Sequence, residues 1–334
     1  MNAVKKIKDA DFLFLTSMLR AREVGMLSGD RVNRMLDALG FDDAAKLLLD
    51  CGYPDMSDMG MAQVDAVIEA HRAEVFREIS GFAYALDILD FFRMKYDYHN
   101  IKVLIKASGA GIEAKHLLSS SGRVEADAIA DAFVTEQYEG IPAPVAEAIG
   151  SAVGILSRTA NPQLADIEID KFYFGELASL AARLKHPFIT GYVQLLIDSA
   201  NLRIIVRSAR TRRDKDFLLS SLLPQGSVSV DQLATAYDAG SPPPFTNEAL
   251  SLAVRLGVDA MSSGTQTIFE LACDNAVLQY VTNTNFISFG PAPVICFLAK
   301  VEWELTVVRM ILTGKHTGIS SEVIRERLRE CYVL

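Results

Sequence analysis

Apolar residues recur at three- and four-residue intervals along most of the chain. The spacing is clearest over residues 12–23, 30–39, 64–88 and 170–184, and it places the apolar side chains on one face of an α-helix. Alternating Val, Ile and Thr runs closed by Asn-Gly or Asp-Gly turns, which indicate β-hairpins, do not occur, and the short alternating fragment near Val228 is isolated. The sequence therefore predicts an all-α fold.

Three segments interrupt this helical pattern. They are SGAG at residues 108–111, LPQG at 223–226 and SPPP at 241–244. Glycine and proline end helices, so we interpret the first two segments as domain boundaries and the proline run as a loop.

One element occurs three times. The copies read DYHNIKVLIK at 97–106, DSANLRIIVR at 198–207 and ELTVVRMILT at 304–313. Each begins with an acid, has a base five residues later and continues with three aliphatic residues. Asn100 and Asn201 share the fourth place, where the third copy has Val307. Because the copies are separated by about the length of a small domain, we predict three similar helical domains at residues 1–110, 111–217 and 218–334.

A helical wheel makes this element apolar on most faces with one narrow basic stripe. A helix of that kind is the buried central helix of its domain. The bases of the stripe are Lys102, Lys106, Arg203, Arg207, Arg210 and Arg309. Two interpretations stay open: the bases pair with carboxylates of neighbouring helices, or three such helices line a shared surface that grips a partner.

The acids and asparagines of the element fall on the apolar side of the wheel. An unpaired carboxylate there would cost several kcal/mol, so we expect each one to be hydrogen-bonded or ion-paired inside its domain. These predicted structural residues are Asp97, Asn100, Asp198, Asn201 and Glu304.

Composition and charge argue against several classes of protein. The 334 residues carry 33 Lys and Arg against 42 Asp and Glu, a net charge of -9, which argues against a nucleic-acid-binding surface. Four widely separated cysteines favour a reducing compartment over a disulfide framework. We expect no signal peptide and no membrane-spanning helix, because the longest apolar stretch, 293–312, contains four charged residues.

Catalytic and cofactor motifs are weak. The five histidines show neither H-E-x-x-H nor Cys/His spacing. The segment GAG at 109–111 follows a helix rather than a strand, and Gly314-Lys315 lacks the preceding glycine of a phosphate loop. We therefore predict no catalytic residue, no metal site, no cofactor and no small-molecule substrate.

The repeated element and the C-terminal motifs resemble the family of V-type/A-type ATP synthase C subunits, which includes the eukaryotic d subunit. The resemblance is carried by YDYHNIKVLIKA at 96–107, by the second copy with Arg203 and Arg207, and by the C-terminal half of the third domain. The C-terminal motifs are FGPAPV at 289–294, Lys300, Glu302, Glu304, Arg309, Gly314, Lys315, IRERL at 324–328 and YV at 332–333. Val307 departs from the asparagine that this family commonly has.

The resemblance implies three helical domains arranged as a funnel with pseudo-threefold symmetry. It further implies a non-catalytic part that seats the D and F subunits of the central stalk on the ring of membrane proteolipid (c/K) subunits, in ATP-linked proton or sodium transport. The expected location is cytoplasmic, peripheral on the inner face of the cell membrane through that ring. The basic stripe residues are the candidate contacts with shaft or ring. A helical scaffold or adaptor without a rotary partner is the alternative, and an enzyme with an unrecognised helical site is a third.

Overall fold

The structure, a computed structural model, describes residues 8–262 and 264–328 and, for Asn285, the backbone alone. These residues form α-helices joined by turns and short 3-10 segments, without a β-strand, and this confirms the predicted all-α class. The helices are α1 Leu13–Glu23, α2 Gly29–Asp37, α3 Phe41–Lys46, α4 Met61–Ser80, α5 Leu86–Ala110, α6 Ala126–Thr135, α7 Ala143–Thr159, α8 Pro162–Leu184, α9 Pro187–Arg210, α10 Lys215–Ser221, α11 Val230–Asp238, α12 Ser251–Ser262, α13 Gln266–Thr282, α14 Pro291–Thr317 and α15 Ser321–Arg325.

The described chain divides into two compact units. The middle unit is Asp87–Asn247, and the terminal unit combines residues 8–86 with residues 248–328. Residues 8–86 and 248–328 therefore fold together. The division into three domains at 1–110, 111–217 and 218–334 stays a prediction.

The terminal unit is built around α14. This helix packs against α1, α3, α4, α13 and α15, and it is buried along most of its length. It starts at Pro291, whose missing N–H is unneeded in a first turn, and it ends before Gly318, whose φ of 73° suits glycine. The apolar run that contains the third copy of the repeat is thus a central buried helix.

Lys315 holds the start of the chain to α14. Its Nζ donates hydrogen bonds of 2.6 Å to the carbonyl oxygens of Leu36 and Ala38, at the C-terminal end of α2. These carbonyls have no partner within α2, and a cation at this end of a helix is favourable. The lysine near the end of one long helix therefore caps a helix from the other end of the sequence.

The middle unit contains the first two copies of the repeat. In this unit α7 packs on α8, α8 packs on α9, and α10 packs on both α9 and α11. On the α5 side, the rings of Tyr98 and Tyr173 lie 5.6 Å apart. The side chains of Ile197, Leu202 and Ile205 are almost completely buried, so α9 has the predicted character of a central helix.

Most predicted helix positions agree with the structure, but two boundaries were wrong. The sequence predicts a single helix over 64–88, whereas α4 ends at Ser80, a 3-10 turn follows at Ala83–Ala85, and α5 begins at Leu86. The interruption lies at Gly81 and Phe82, where Phe82 has an extended backbone conformation. The break predicted at 108–111 was also wrong in its position, because α5 continues through Ser108 and Gly109 to Ala110 and only Gly111 lies outside the helix. The breaks at 223–226 and 241–244 lie outside helices as predicted, while Cys331 and the motif residues 332–333 lie outside the described residues.

Candidate functional site

Asp97 joins α5 to the loop that precedes α6. Its carboxylate is fully buried, and Oδ1 accepts hydrogen bonds from the backbone N–H groups of Arg123 and Val124 at 2.8 and 3.1 Å. The guanidinium of Arg123 also donates to Oδ2 at 2.7 Å. One turn further along α5, Asn100 exchanges two hydrogen bonds with the backbone of Ser119, at 2.8 and 2.9 Å. We call this arrangement the first acid site.

Asp198 makes the corresponding contacts from α9 and forms the second acid site. Its Oδ1 accepts the backbone N–H of Ser227 at 2.8 Å, and its Oδ2 accepts the hydroxyl of the same serine. Asn201 exchanges two hydrogen bonds with the backbone of Leu223, at 2.8 and 2.9 Å. The acid and the asparagine of the repeat therefore make equivalent hydrogen bonds to a loop in both copies.

A glycine lets each of these two loops approach its acid closely. A Cβ atom on Gly122 would lie 2.3 Å from Oδ1 of Asp97, and a Cβ atom on Gly226 would lie 2.4 Å from Oδ1 of Asp198. Both distances are well inside van der Waals contact, so a larger residue would displace the loop or the carboxylate. The glycines are required by close approach rather than by an unusual backbone angle.

The third acid site uses a loop from the start of the chain. Oε2 of Glu304 accepts the backbone N–H of Leu27 at 2.7 Å, and Oε1 accepts the hydroxyl of Tyr53 at 2.8 Å. Arg123 follows Asp97 by 26 residues and Ser227 follows Asp198 by 29, but Leu27 precedes Glu304 by 277. All three loops lead directly into a short helix, namely α6, α11 and α2.

Burial raises the pKa of all three acids, but their partners differ. The cation of Arg123 opposes the rise in the pKa of Asp97. Only the hydrogen bonds from Ser227 oppose the rise in the pKa of Asp198. The pKa of Glu304 is likewise raised by burial, and this rise is opposed by the hydrogen bonds from Leu27 and Tyr53 and by the charge of Arg31. The second site is therefore the one in which ionisation is balanced by neutral donors alone.

Arg123 extends the first acid site to α8. Its two terminal nitrogens donate to the two carboxylate oxygens of Glu176 at 2.7 and 3.0 Å, a bidentate geometry. The hydroxyl of Tyr98 donates to Glu176 at 2.7 Å, and burial together with this carboxylate raises the pKa of Tyr98. Through these contacts, α5, α8 and the loop before α6 are joined by a charged hydrogen-bond network.

The first two bases of the stripe pair with carboxylates on α8. The Nζ atom of Lys102 lies 2.5 Å from Oδ1 of Asp170, and that of Lys106 lies 2.9 Å from Oδ2 of Asp166. Burial raises the pKa of Asp170, and the charge of Lys102 counteracts this rise. Both lysines therefore join α5 to α8 through ion pairs.

Arg309 makes the same kind of contact in the terminal unit. Its Nε lies 2.9 Å from Oδ1 of Asp65 on α4, and its Nη2 donates to Oδ2 at 3.1 Å. In the middle unit, Arg203 donates to the hydroxyl of Ser199 at 2.7 Å. Arg207 and Arg210 lie near the end of α9, and both are exposed. A role for the stripe in binding a partner stays a prediction.

An open cleft of moderate size is found in each unit. The cleft of the middle unit, about 460 Å³, is lined by residues of α8 that include Lys171, Phe172 and Glu176. The cleft of the terminal unit, about 360 Å³, lies beside Cys51 and His71. Burial raises the pKa of Cys51, so this thiol is a poor nucleophile at neutral pH, and burial lowers the pKa of His71, whose ring stacks on that of Tyr53. The arrangement is suited to packing rather than to nucleophilic chemistry.

Metal-binding and membrane-spanning features are absent from the described parts of the chain. No group of three or more His, Cys, Asp or Glu side chains there is placed to hold a metal ion. None of the helices described is both long and apolar enough to cross a bilayer.

Sequence reasoning identified the acids and asparagines but missed their partners. Arg123, Leu27 and Tyr53 lie far from their acids in sequence, and Gly226 was interpreted only as part of a domain boundary. The sequence nevertheless contains a pattern that marks the three loops. The segments GRV at 122–124, GSV at 226–228 and GML at 25–27 each place an apolar residue two positions after a glycine, shortly before a short helix.

Comparison with known proteins gives one consistent result. The family model described as ATP synthase (C/AC39) subunit matches residues 15–327. The chain is 24% identical over 330 residues to the C subunit of the V-type sodium ATPase of Enterococcus hirae, covering 96% of this chain and 98% of that protein. It is also 24% identical to the C subunit of the A-type ATP synthase of Methanothermobacter thermautotrophicus, covering 95% and 87%, and 21% identical to that of Methanocaldococcus jannaschii, covering 96% and 86%.

Proposed function

The chain belongs to the ATP synthase (C/AC39) subunit family, and from this premise we propose that it is the non-catalytic socket of a V/A-type rotary ATPase. In this role it joins the rotating shaft, made of the D and F subunits, to the ring of membrane proteolipid subunits during ATP-linked proton or sodium transport. It acts at the inner face of the membrane and is held there by protein contacts.

The observation that carries this proposal is the extent of the family match. The match covers residues 15–327, and almost the full length of the Enterococcus protein is aligned. The alignment therefore includes both units, all three acid sites and every long helix. A match limited to one helical hairpin would support only a shared fold.

The internal contacts supply the physical properties that such a part needs. A socket that passes torque must resist shear, and close-packed helical cores are poorly compressible. Each acid site joins a long buried helix to a loop by two or more hydrogen bonds. In the terminal unit, the hydrogen bonds of Lys315 also join α14 to the end of α2. These contacts support a stiff packing within each unit.

The buried acids and the thiol of Cys51 serve structural roles. The buried acids accept backbone and side-chain hydrogen bonds, and the thiol of Cys51 is kept protonated by burial. Those functions are the ones expected of an accessory part of the complex, in which no covalent bond is made or broken.

We assign the polar contacts with the shaft to the arginines near the end of α9. Four arginines lie between positions 207 and 213, an unusual concentration in a chain of net charge -9. All four are exposed, and the guanidinium of Arg213 lies 4.7 Å from the ring centre of Phe217. Complementary charges fix register and speed association, which is what a seat for a rotating part needs.

A binding experiment with cross-link mapping tests the proposal. Purified full-length chain is mixed separately with the shaft of D and F subunits and with membranes that contain the proteolipid ring, and cross-linked residues are mapped. We expect binding to both partners, with Arg203→Glu/Arg207→Glu weakening only shaft binding and the control Arg255→Glu changing neither. Binding to neither partner by a correctly folded chain would favour a scaffold protein outside the rotary complex.

A further inference from the structure

The buried acid of the third acid site, Glu304, also lines the open cleft of the terminal unit. This cleft has a volume of about 360 Å³, within the range of clefts that hold small ligands in proteins. The helix α14 contributes Phe297, Val301 and Glu304 to its wall, at the spacing of one helix face. The charged and polar side chains of the remaining wall come from α1, α4 and the turn after α3, and they are Arg22, Asp50, Cys51, His71 and Glu74. We call this space the terminal cleft.

Glu304 is paired with uncharged donors alone in the described parts of the chain. It is 3% exposed, and its carboxylate accepts the N–H of Leu27 and the hydroxyl of Tyr53. The guanidinium of Arg31 donates to Sγ of Cys51 at 3.3 Å and forms no ion pair with Glu304 among the described residues. A carboxylate can accept about four hydrogen bonds. Glu304 therefore has unused acceptor positions and no cation bonded to it.

The other two acid sites indicate which group the third one lacks. The loops GRV at 122–124, GSV at 226–228 and GML at 25–27 have arginine, serine and methionine at the same central position. Arg123 donates its guanidinium to Asp97, and the hydroxyl of the serine donates to the second acid. In the third loop the central residue is Met26, which has no donor and lines the terminal cleft. The terminal cleft therefore lies beside Glu304 on the side where the first site has a guanidinium.

The charges around the terminal cleft favour a cation as its occupant. Asp50 and Glu74 line the cleft, and Arg22 is the only base in its wall among the residues that the structure describes. Arg22 lies 3.5 Å from the carboxylate of Glu74 and 2.9 Å from that of Glu78, whereas Asp50 forms no ion pair within the described chain. Burial lowers the pKa of His71, so its ring adds no positive charge at neutral pH. The wall thus carries an excess of negative charge.

We propose that the terminal cleft binds a small planar organic cation, of guanidinium or amidinium type, whose N–H groups donate to Glu304 as Arg123 donates to Asp97. Phe297 and Val301, on the same face of α14, provide apolar contact for the body of the ligand. Bound there, the cation contacts both α14 and the N-terminal loops, and it stabilises the folded terminal unit as an effector rather than as a substrate. This inference goes beyond the proposed function and does not depend on it.

The test is isothermal titration calorimetry of the full-length chain with benzamidine, a flat ring that carries an amidinium group. Benzamide, which has the same shape and no charge, is the matched ligand control. Three variants change the terminal cleft: Glu304→Gln removes the buried charge, Asp50→Asn removes an exposed one, and Met26→Arg supplies the cation from the chain itself. Asp58→Asn, an exposed change in the same unit away from the cleft wall, is the control variant. Thermal unfolding of each variant is measured with and without ligand.

We expect benzamidine to bind the wild type with a Kd in about the millimolar range or below and to raise its unfolding temperature. Benzamide should bind the wild type at least about tenfold more weakly, and so should benzamidine bind Glu304→Gln, because hydrogen bonds between two charged groups are the stronger ones. Asp50→Asn should weaken benzamidine binding by about two- to fivefold, as expected for an exposed charge. Met26→Arg should unfold at a higher temperature than the wild type and should bind benzamidine at least about tenfold more weakly. Asp58→Asn should behave like the wild type.

Failure of the folded wild type to bind benzamidine, or equally tight binding of benzamide, would overturn the inference. Wild-type affinity for benzamidine in Glu304→Gln and Met26→Arg would mean that the ligand binds elsewhere on the chain, and this would overturn it as well. If Glu304→Gln does not fold, Asp50→Asn and Met26→Arg decide the question, since Asp50 is exposed and Met26 is half-buried. None of these results bears on shaft or ring binding, so the proposed function stands or falls separately.

Discussion

The backbone N–H of Leu27, near the start of the chain, donates a hydrogen bond of 2.7 Å to the carboxylate of Glu304, in its last long helix. The same carboxylate accepts the hydroxyl of Tyr53 at 2.8 Å. A single buried acid thus fastens two segments of the N-terminal region to α14. Because this region supplies the loop that the third copy of the repeat needs, the terminal unit depends on both ends of the sequence.

Replacing Glu304 by alanine tests that dependence. Two buried donors would lose their acceptor, and each such loss costs roughly 1–3 kcal/mol, so we expect the free energy of unfolding to fall by about 2–4 kcal/mol. Urea unfolding at pH 7, followed by circular dichroism, measures the change. Glu326→Ala, at an exposed position of the same unit, serves as control and should lie within about 0.5 kcal/mol of wild type. An equally small effect of Glu304→Ala would show that this contact does not hold the chain ends.

Gly226→Ala tests the close approach at the second acid site. The added Cβ would lie 2.4 Å from the carboxylate of Asp198, and we expect a loss of about 1–3 kcal/mol in the free energy of unfolding. In the background Asp198→Ala the same substitution should cost much less, since the clashing oxygen is gone, and a double-mutant cycle measures this difference. The control is Gly175→Ala in α8, where the Cβ meets no atom and should add up to about 1 kcal/mol of stability. Additive effects of Gly226→Ala and Asp198→Ala would argue against the clash.

The second acid site should also give the unfolding free energy a pH dependence. Burial raises the pKa of Asp198 above its ordinary value of 3.8, so the folded state holds the proton to higher pH than the unfolded state. The contribution of this group is therefore fully present below pH 3.8 and is lost as the pH rises through the folded-state pKa. Asp198→Asn should unfold at pH 7 with a free energy equal to or above that of wild type, and its stability should fall less steeply above about pH 4.

Unfolding curves at closely spaced pH values between about 3.5 and 7.5 measure this difference. Asp216→Asn, an exposed change in the same unit, should leave the wild-type slope unaltered. A steeper slope in Asp198→Asn than in wild type would contradict the direction of the shift.

The first acid site should lose stability on the same chemical change, although burial raises the pKa of Asp97 as well, because Asp97 pairs with a cation. Asp97 accepts the guanidinium of Arg123 at 2.7 Å, and an asparagine would remove the charge that pairs with this largely buried cation. Breaking one partner of a buried pair typically costs about 3–5 kcal/mol, and because Glu176 still pairs with Arg123 we expect about 2–3 kcal/mol for Asp97→Asn. Urea unfolding at pH 7 compares this variant directly with Asp198→Asn. Equal stabilities for the two variants would mean that Arg123 does not distinguish the sites.

The elements that the sequence predicted best are those that local patterns determine. Apolar spacing predicted the long helices, and the acid at the head of each repeat marked a buried polar contact in the central helix. Glycine and proline marked the loops at 223–226 and 241–244. The wrong boundary at 64–88 arose because the apolar periodicity continues through Phe82, while the backbone does not.

The partners of the acids could not be predicted from local patterns. Arg123 and Glu176 meet only when α8 has packed against α5, and Leu27 meets Glu304 only when the two ends of the chain have come together. The repeat offered a partial signal, since a loop that serves Asp97 implies an equivalent loop for Glu304. In the third copy, however, the equivalent loop lies at the start of the sequence rather than after the acid.

The most direct test of the central claim is ATP-driven ion uptake by membrane vesicles that contain the rotary complex with this chain omitted. The account predicts that the catalytic portion still hydrolyses ATP once released, that uptake falls to background, and that adding back the purified chain restores both membrane attachment and uptake. Vesicles that keep normal, ATP-coupled uptake without the chain would contradict the claim that it joins the shaft to the ring.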